Sequence, residues 1–261
     1  MRAHLIAGAA AAVLGFVAVV PGIAPADIGL NVIPTKSEIA TQPGKTETFP
    51  VTVRNDSGDV IHVQASLSDF TIAPNGQHVF MQAGKSPYSL APYLSMNPRE
   101  FDIPAGQLQQ VRVSFTLPEH KIGEYATIVF FQTRPVRRPG AIGFSERIAS
   151  KIYAMAGDTG QIGGVVDDVS VQPQSGGEKV VVGFKNNGNV HEYVNGRVEI
   201  KKAGAVVDKF SLAQQQLVER GDRVVLEAQG KPLPAGQYDA VAICDYGGTK
   251  LTGGQASFTV H

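Results

Sequence analysis

The sequence predicts an all-β protein built of two tandem immunoglobulin-like β-sandwiches. Three observations carry that expectation. From residue 28 onward the apolar residues come in short bursts with a period near two, enriched in β-branched types. The bursts are separated by Gly, Pro, Asn and Asp, and the 261 residues include 29 glycines and 16 prolines, a supply of turn residues that suits many short strands. Finally, one string occurs twice: "LPEHKIGEYATIVFF" (117–131) and "LPAGQYDAVAICDY" (233–246) both read Leu-Pro, a gap, then Gly-x-Tyr running into an apolar strand.

Residues 1–26 stand apart from the fold and read as an export signal. Arg2 gives a positive start, "LIAGAAAAVLGFVAVV" an apolar run, and Ala24-Pro25-Ala26 a small-residue cleavage site before Asp27. That run is short for a spanning helix, and no long apolar run follows it, so the mature chain is expected not to span a membrane. Strand candidates then follow in order: "TFPVTVRN" (48–55), "VIHVQASL" (60–67), "QQVRVSFTL" (109–117), "EKVVVGFKN" (178–186) and "DRVVLEA" (222–228). Only "FSLAQQQLVER" (210–220) invites a helical reading.

Aligned by role, each half runs strand, Asn-containing turn, strand, and later turn, strand, Leu-Pro, Gly-x-Tyr, strand. Tyr125 and Tyr238 fit the tyrosine corner of an immunoglobulin-like sandwich, where the ring enters the core and the hydroxyl bonds nearby backbone. The boundary is expected in the Gly-rich "AMAGDTGQIGG" (154–164), giving a first domain of 27–156 and a second of 157–261.

Composition and motif searches narrow the function by exclusion. The chain has 23 basic and 23 acidic residues, so it has no overall charge with which to hold nucleic acid. Cys244, the single cysteine, lies in the apolar run "AVAIC" and reads as a small buried hydrophobe. "PGKT" (43–46) lacks the first glycine of a phosphate loop, since Ile39 stands there, and no G-x-S-x-G is present. The histidines are scattered singly, without metal-ligand spacing. No catalytic residue, metal or cofactor is therefore expected. "NDSG" at Asn55 is formally a glycosylation sequon and reads better as a turn. The basic, proline-stiffened loop "TRPVRRPG" offers Arg134, Arg137 and Arg138 as candidate contacts for an acidic partner surface, with a solvated loop as the plainer alternative.

"VIPTKSEI" (32–39), "LSMNPREFDIPAGQLQQVRVSFTLP" (94–118) and the closing strand "SERIASKIYAMA" (145–156), in that order, resemble the periplasmic pilus-assembly chaperones of the PapD-like family. The resemblance implies an exported, periplasmic or surface protein that captures pilin-like subunits by β-strand addition. It also raises the possibility of an outer-membrane usher as a second partner. In that family the last strand of domain one lies in the subunit's groove, and two basic residues hold the subunit's C-terminal carboxylate. Carried onto this chain, Lys36 takes the first basic position. The second falls on Tyr153, with Lys151 two residues earlier as a substitute on the same face. The alternating donors fall on Phe144, Glu146 and Ile148, with Ile152 between the two anchor candidates, and the charge of Glu146 departs from the family pattern. The second domain is similar to generic bacterial surface immunoglobulin-like domains, which leaves open a structural or adhesive role without chaperone turnover.

Overall fold

A computed structural model describes residues 29–135 and 144–261. The expected export signal and Arg137 and Arg138 of the basic loop lie outside the described residues. Among the described residues the chain forms strands throughout, with one short 3-10 turn at Ala91–Tyr93.

Residues 30–156 form two sheets packed face to face. One has the order β1(Leu30–Ile33), β3(Thr46–Asn55), β8(Leu108–Thr116), β6(Leu94–Asn97). The other has the order β2(Lys36–Thr41), β10(Arg147–Ala156), β9(Gly123–Thr133), β4(Ile61–Ile72), β5(His78–Gln82), with β7(Glu100–Ile103) also paired to β4. The first stretch of chain serves both sheets: β1 pairs antiparallel with β3, and after Pro34, which has no N–H to give a ladder, β2 pairs parallel with β10. Residues 164–260 form a second sandwich. Its sheets are β11(Gly164–Gln174), β12(Gly177–Asn186), β15(Arg223–Gln229), and β14(Ala205–Val218), β13(Glu192–Lys202), β16(Gly236–Asp245), β17(Thr252–Val260).

Each sandwich has its own core, and one strand is covered on both faces. The apolar run within β9 sends Val129 and Phe131 into the first core and Ile128 and Phe130 to the opposite face, where they meet Phe70 and Tyr153. A continuous apolar run rather than alternation is what a doubly covered strand requires.

The repeat seen in the sequence has a physical counterpart at Asn55 and Asn186, both fully buried. Asn55 accepts from the Ser57 N–H and donates to the Asp59 and Ile103 carbonyls. Asn186 accepts from the Gly188 N–H and donates to the Val190 and Val218 carbonyls. Each side chain ties the end of a strand to a turn and to a distant strand, which satisfies backbone groups that burial would otherwise orphan. With its amide engaged in this way, Asn55 is a structural residue.

Two expectations need correction. The helical candidate 210–220 is mostly strand, running along β13 with Phe210 opposite Val198 and Gln216 opposite Val194. Register shifts between Val194 and Arg197 break the two-residue period, and Gln215 sits at φ 50, held by Asn195 Oδ1. The irregular spacing that suggested a helix is the mark of bulges. The two tyrosines also differ. Tyr238 donates to the Pro234 carbonyl, 2.8 Å away and four residues upstream, which is the corner expected. Tyr125 has its ring in the first core, but its proline lies seven residues back, and Lys121 Nζ sits over the ring at 5.1 Å.

Candidate functional site

The site is organised by β10, the last strand of the first sandwich. Over Lys151–Ala156 it is paired on both sides, by β9 and in parallel by β2. Among the described residues Arg147–Ser150 is paired with β9 alone, which leaves its other edge open to them for those four residues. The Lys151 N–H donates to the Thr35 carbonyl on the β2 side. Strand residues two apart direct their backbone groups the same way, so the N–H and C=O of Ala149 and Arg147 face the open edge. Side chains alternate too. Ile148, Ser150 and Ile152 turn toward the first core, and Arg147, Lys151 and Tyr153 turn to the opposite face.

Where the edge closes, two lysines stand side by side. Lys36 and Lys151 are paired residues on adjacent parallel strands. Lys36 Nζ lies 2.6 Å from Glu38 Oε1 and donates to the Tyr193 hydroxyl at 2.9 Å, and these bonds raise its pKa. Lys151 Nζ is 2.7 Å from His78 Nε2, 3.8 Å from Glu219 Oε1 and 4.8 Å from the centre of the Phe70 ring. Burial lowers the pKa of Lys151, and the neighbouring charge of Lys36 pushes the same way against the attraction of Glu219. The lowered pKa of His78, caused first by burial and then by Lys151, suits a neutral ring that accepts from the ammonium.

Behind the lysines the two sandwiches join through a buried polar cluster. The Tyr153 hydroxyl donates to Glu219 Oε1 at 2.7 Å, and its ring lies 4.4 Å from that of His191. Burial is the main reason the phenol pKa is raised, with the Glu219 charge second. His191 Nδ1 is 2.8 Å from both oxygens of Glu124, and Nε2 is 3.3 Å from Glu38. Burial opposes charge on His191, but the hydrogen bond and charge of Glu124, with Glu219 and Glu38 behind it, prevail and raise its pKa. Arg220 donates to the Glu124 and Ile122 carbonyls and stacks 3.9 Å from the Tyr88 ring centre, while Asp222 accepts from the Ile72 N–H and the Thr71 hydroxyl. Between these groups the cleft keeps a cavity of about 300 Å³, bordered by Phe70, Met81 and Tyr88 on one side and Glu219 and Arg220 on the other. Gly123, at φ 71, lets the Asn189 backbone approach, since a Cβ there would stand 2.7 Å from the Asn189 carbonyl oxygen.

The sequence-derived candidates are thus divided. Lys36 and Lys151 come together at the end of the open edge, and Ile148 lies on that edge, packed on the first core. Phe144 is 56% exposed just upstream. Ile152 and Tyr153 are buried by the protein's own chain, with Tyr153 only 1% exposed. Arg134 stands away from this group and pairs with Glu100 at 2.6 Å. Sequence reasoning did not single out Glu124, His191, Tyr193 or Glu219 as partners of the site. They come from both halves of the chain and carry no spacing signal. His191 in "NNGNVHEY" and Glu219 in "VER" are brought to β10 only by docking of the second sandwich.

The two-sandwich arrangement, with the first stretch of chain shared between sheets, can be compared with solved structures. A crystal structure of the class 5 fimbriae chaperone CfaA matches 88% of this chain and 98% of its own, with TM-score 0.50 and 12% identity. The fold is that of a fimbrial chaperone. A structure described as a chaperone–tip adhesin complex in CFA/I fimbriae biogenesis matches over the same shares, with TM-score 0.50 and 14% identity. No protein-family profile matches the chain, and no curated protein does.

Proposed function

We propose that the protein is an exported, periplasmic chaperone that captures pilin-like subunits by adding a subunit strand to the open edge of β10. The observation that carries this reading is the coincidence of an open edge at Arg147–Ser150 with a pair of ammonium groups at its closed end. A guest strand on this edge continues the column that β2 occupies. If its C-terminal carboxylate meets Lys36 and Lys151, it must run parallel to β10, as β2 does. Ladder bonds to Ala149 and Arg147 then supply affinity without sequence preference, and side chains beside Phe144, Glu146 and Ile148 supply discrimination.

The carboxylate has a physical reason to enter. Two ammonium groups on neighbouring strands repel each other, and the repulsion is part of what lowers the pKa of Lys151. A guest anion between them relieves that repulsion, and each hydrogen bond to a charged group contributes about 1.5–3 kcal/mol. Lys151 is already largely desolvated, its side chain being 19% exposed, so little further desolvation accompanies binding on the protein's side.

The test is Ala149→Pro. It removes an N–H that faces the open edge and leaves the β9 ladder intact, which an edge strand tolerates. Subunits that co-purify with the wild-type protein from its native periplasm are expected to be lost from this variant at unchanged melting temperature. Undiminished co-purification of the same subunits with a folded Ala149→Pro protein refutes strand addition at this edge.

A further inference from the structure

We infer that Glu146 selects the guest, favouring a strand that sets a lysine or arginine side chain beside it on the added edge. The inference rests on the strand-addition reading above and concerns which strands are accepted.

Glu146, the residue before β10, continues the row of Ile148, since side chains two apart in extended chain share a face. Ile148 packs on the first core, and Glu146 reaches across to the neighbouring sheet, where its Oε2 accepts from the Leu30 N–H of β1 at 2.9 Å. The carboxylate therefore bridges the two sheet edges at the mouth of the open stretch. Its far end is bridged by Ser150 Oγ, which donates to the Pro34 carbonyl at 2.7 Å. Glu146 is half-buried, and Oε1 takes no hydrogen bond from a described residue.

A guest strand lying against Arg147–Ser150 covers this carboxylate and removes most of its water. One neutral backbone donor then serves a full negative charge, an arrangement that is unfavourable unless a cation joins it. The described basic residues around β10 are engaged elsewhere. Arg147 lies 3.5 Å over the centre of the Phe130 ring on the opposite face, Lys151 faces His78 and Glu219, and Arg134 is paired with Glu100. Among the described residues no basic side chain is left to pair with Glu146, so the cation is taken to come with the guest. Directly neighbouring side chains on one face of a sheet are close enough to pair, and opposite charges there stabilise while like charges repel. A lysine or arginine at the guest position beside Glu146 gives Oε1 a charge-assisted bond, an apolar residue leaves it unpaired, and an acidic one adds repulsion.

The test uses the protein without residues 1–26 and synthetic strand peptides of roughly ten residues, the length of a long strand. The peptides alternate valine and threonine and end in a free carboxylate. A single lysine, isoleucine or glutamate is stepped through each position on the valine face, and affinities are read by fluorescence anisotropy. At one position lysine is expected to bind about tenfold or more tightly than isoleucine, a factor that corresponds to about 1.4 kcal/mol. That preference is expected to vanish in Glu146→Gln, which keeps an acceptor for the Leu30 N–H. It is expected to invert toward the glutamate peptide in Glu146→Lys. If Glu146→Lys does not fold, loss of the preference in Glu146→Gln still decides. Peptides amidated at the C-terminus test the underlying reading separately. Binding that depends on the free carboxylate but shows no lysine preference overturns the role of Glu146 alone. A preference that persists unchanged in Glu146→Gln does the same. Failure of every peptide to bind overturns both.

Discussion

Glu192 provides the most quantitative test of the physical reasoning. Its side chain lies at the start of β13 against the segment that joins the sandwiches, 3% exposed, with Oε1 accepting from the Gly163 N–H at 2.6 Å. Oε2 is buried with no hydrogen-bond partner. Burial pushes its pKa up to about 7, against the Gly163 bond and the nearby His191 charge. A carboxyl that ionises near 4.5 when unfolded and near 7 when folded holds its proton longer in the native state, so stability falls as pH rises between those values. Every tenfold gain in proton affinity on folding corresponds to about 1.4 kcal/mol, so ionising this carboxyl in the native state carries a penalty with a ceiling of roughly 3 kcal/mol above pH 8. Glu192→Gln keeps the acceptor for Gly163 and cannot ionise. The variant is expected to match the wild type in urea denaturation at pH 4 and to be more stable by about 1–3 kcal/mol at pH 9. A difference that is independent of pH, or a variant less stable at pH 9, refutes the assignment of a strained, buried carboxylate.

Further outcomes are expected at other positions. His191 has a raised folded-state pKa, so its contribution is fully present below its unfolded pKa and is lost as pH climbs through the folded value; in His191→Gln that pH-dependent part of the urea midpoint should disappear. Lys151 has a lowered pKa and sheds its charge earlier on the alkaline side, so affinity for a free-carboxylate peptide should decline with rising pH before Lys36 titrates, and Lys151→Ala should remove the dependence. Asn55→Ala and Asn186→Ala each strip several bonds from buried backbone groups and should cost about 2–4 kcal/mol apiece, read as shifted denaturation midpoints. Ile148→Asp should abolish subunit capture, but because Ile148 also packs on the first core its melting temperature should fall, unlike that of Ala149→Pro.

Much of the architecture could be read from residue patterns, and the exceptions have specific causes. Tyr238 was legible because Leu-Pro, Gly-x-Tyr describes a local turn whose bond closes over four residues, to Pro234. Tyr125 shares the string but not the spacing, and its environment follows the spacing. The strand at 205–218 was obscured because bulges opposite Asn195 and Gly196 disturb the alternation on which strand recognition depends. Lys36 and Lys151 could be named as a pair only through a family resemblance, since nothing local in either segment indicates that they become neighbours.

By itself the sequence determined that the chain is all-β, where several of its strands lie, and that they fall into two sandwiches. Those features are written in short-range period and turn chemistry, which act over a few residues. Only the tertiary structure decided that β2 seals β10 from Lys151 onward and leaves the outer edge of Arg147–Ser150 without a partner among the described residues, and that Glu219 and His191 close over Tyr153. Those contacts join segments far apart in the chain, and their free energy comes from burial and pairing that exist only once both sandwiches have folded and docked.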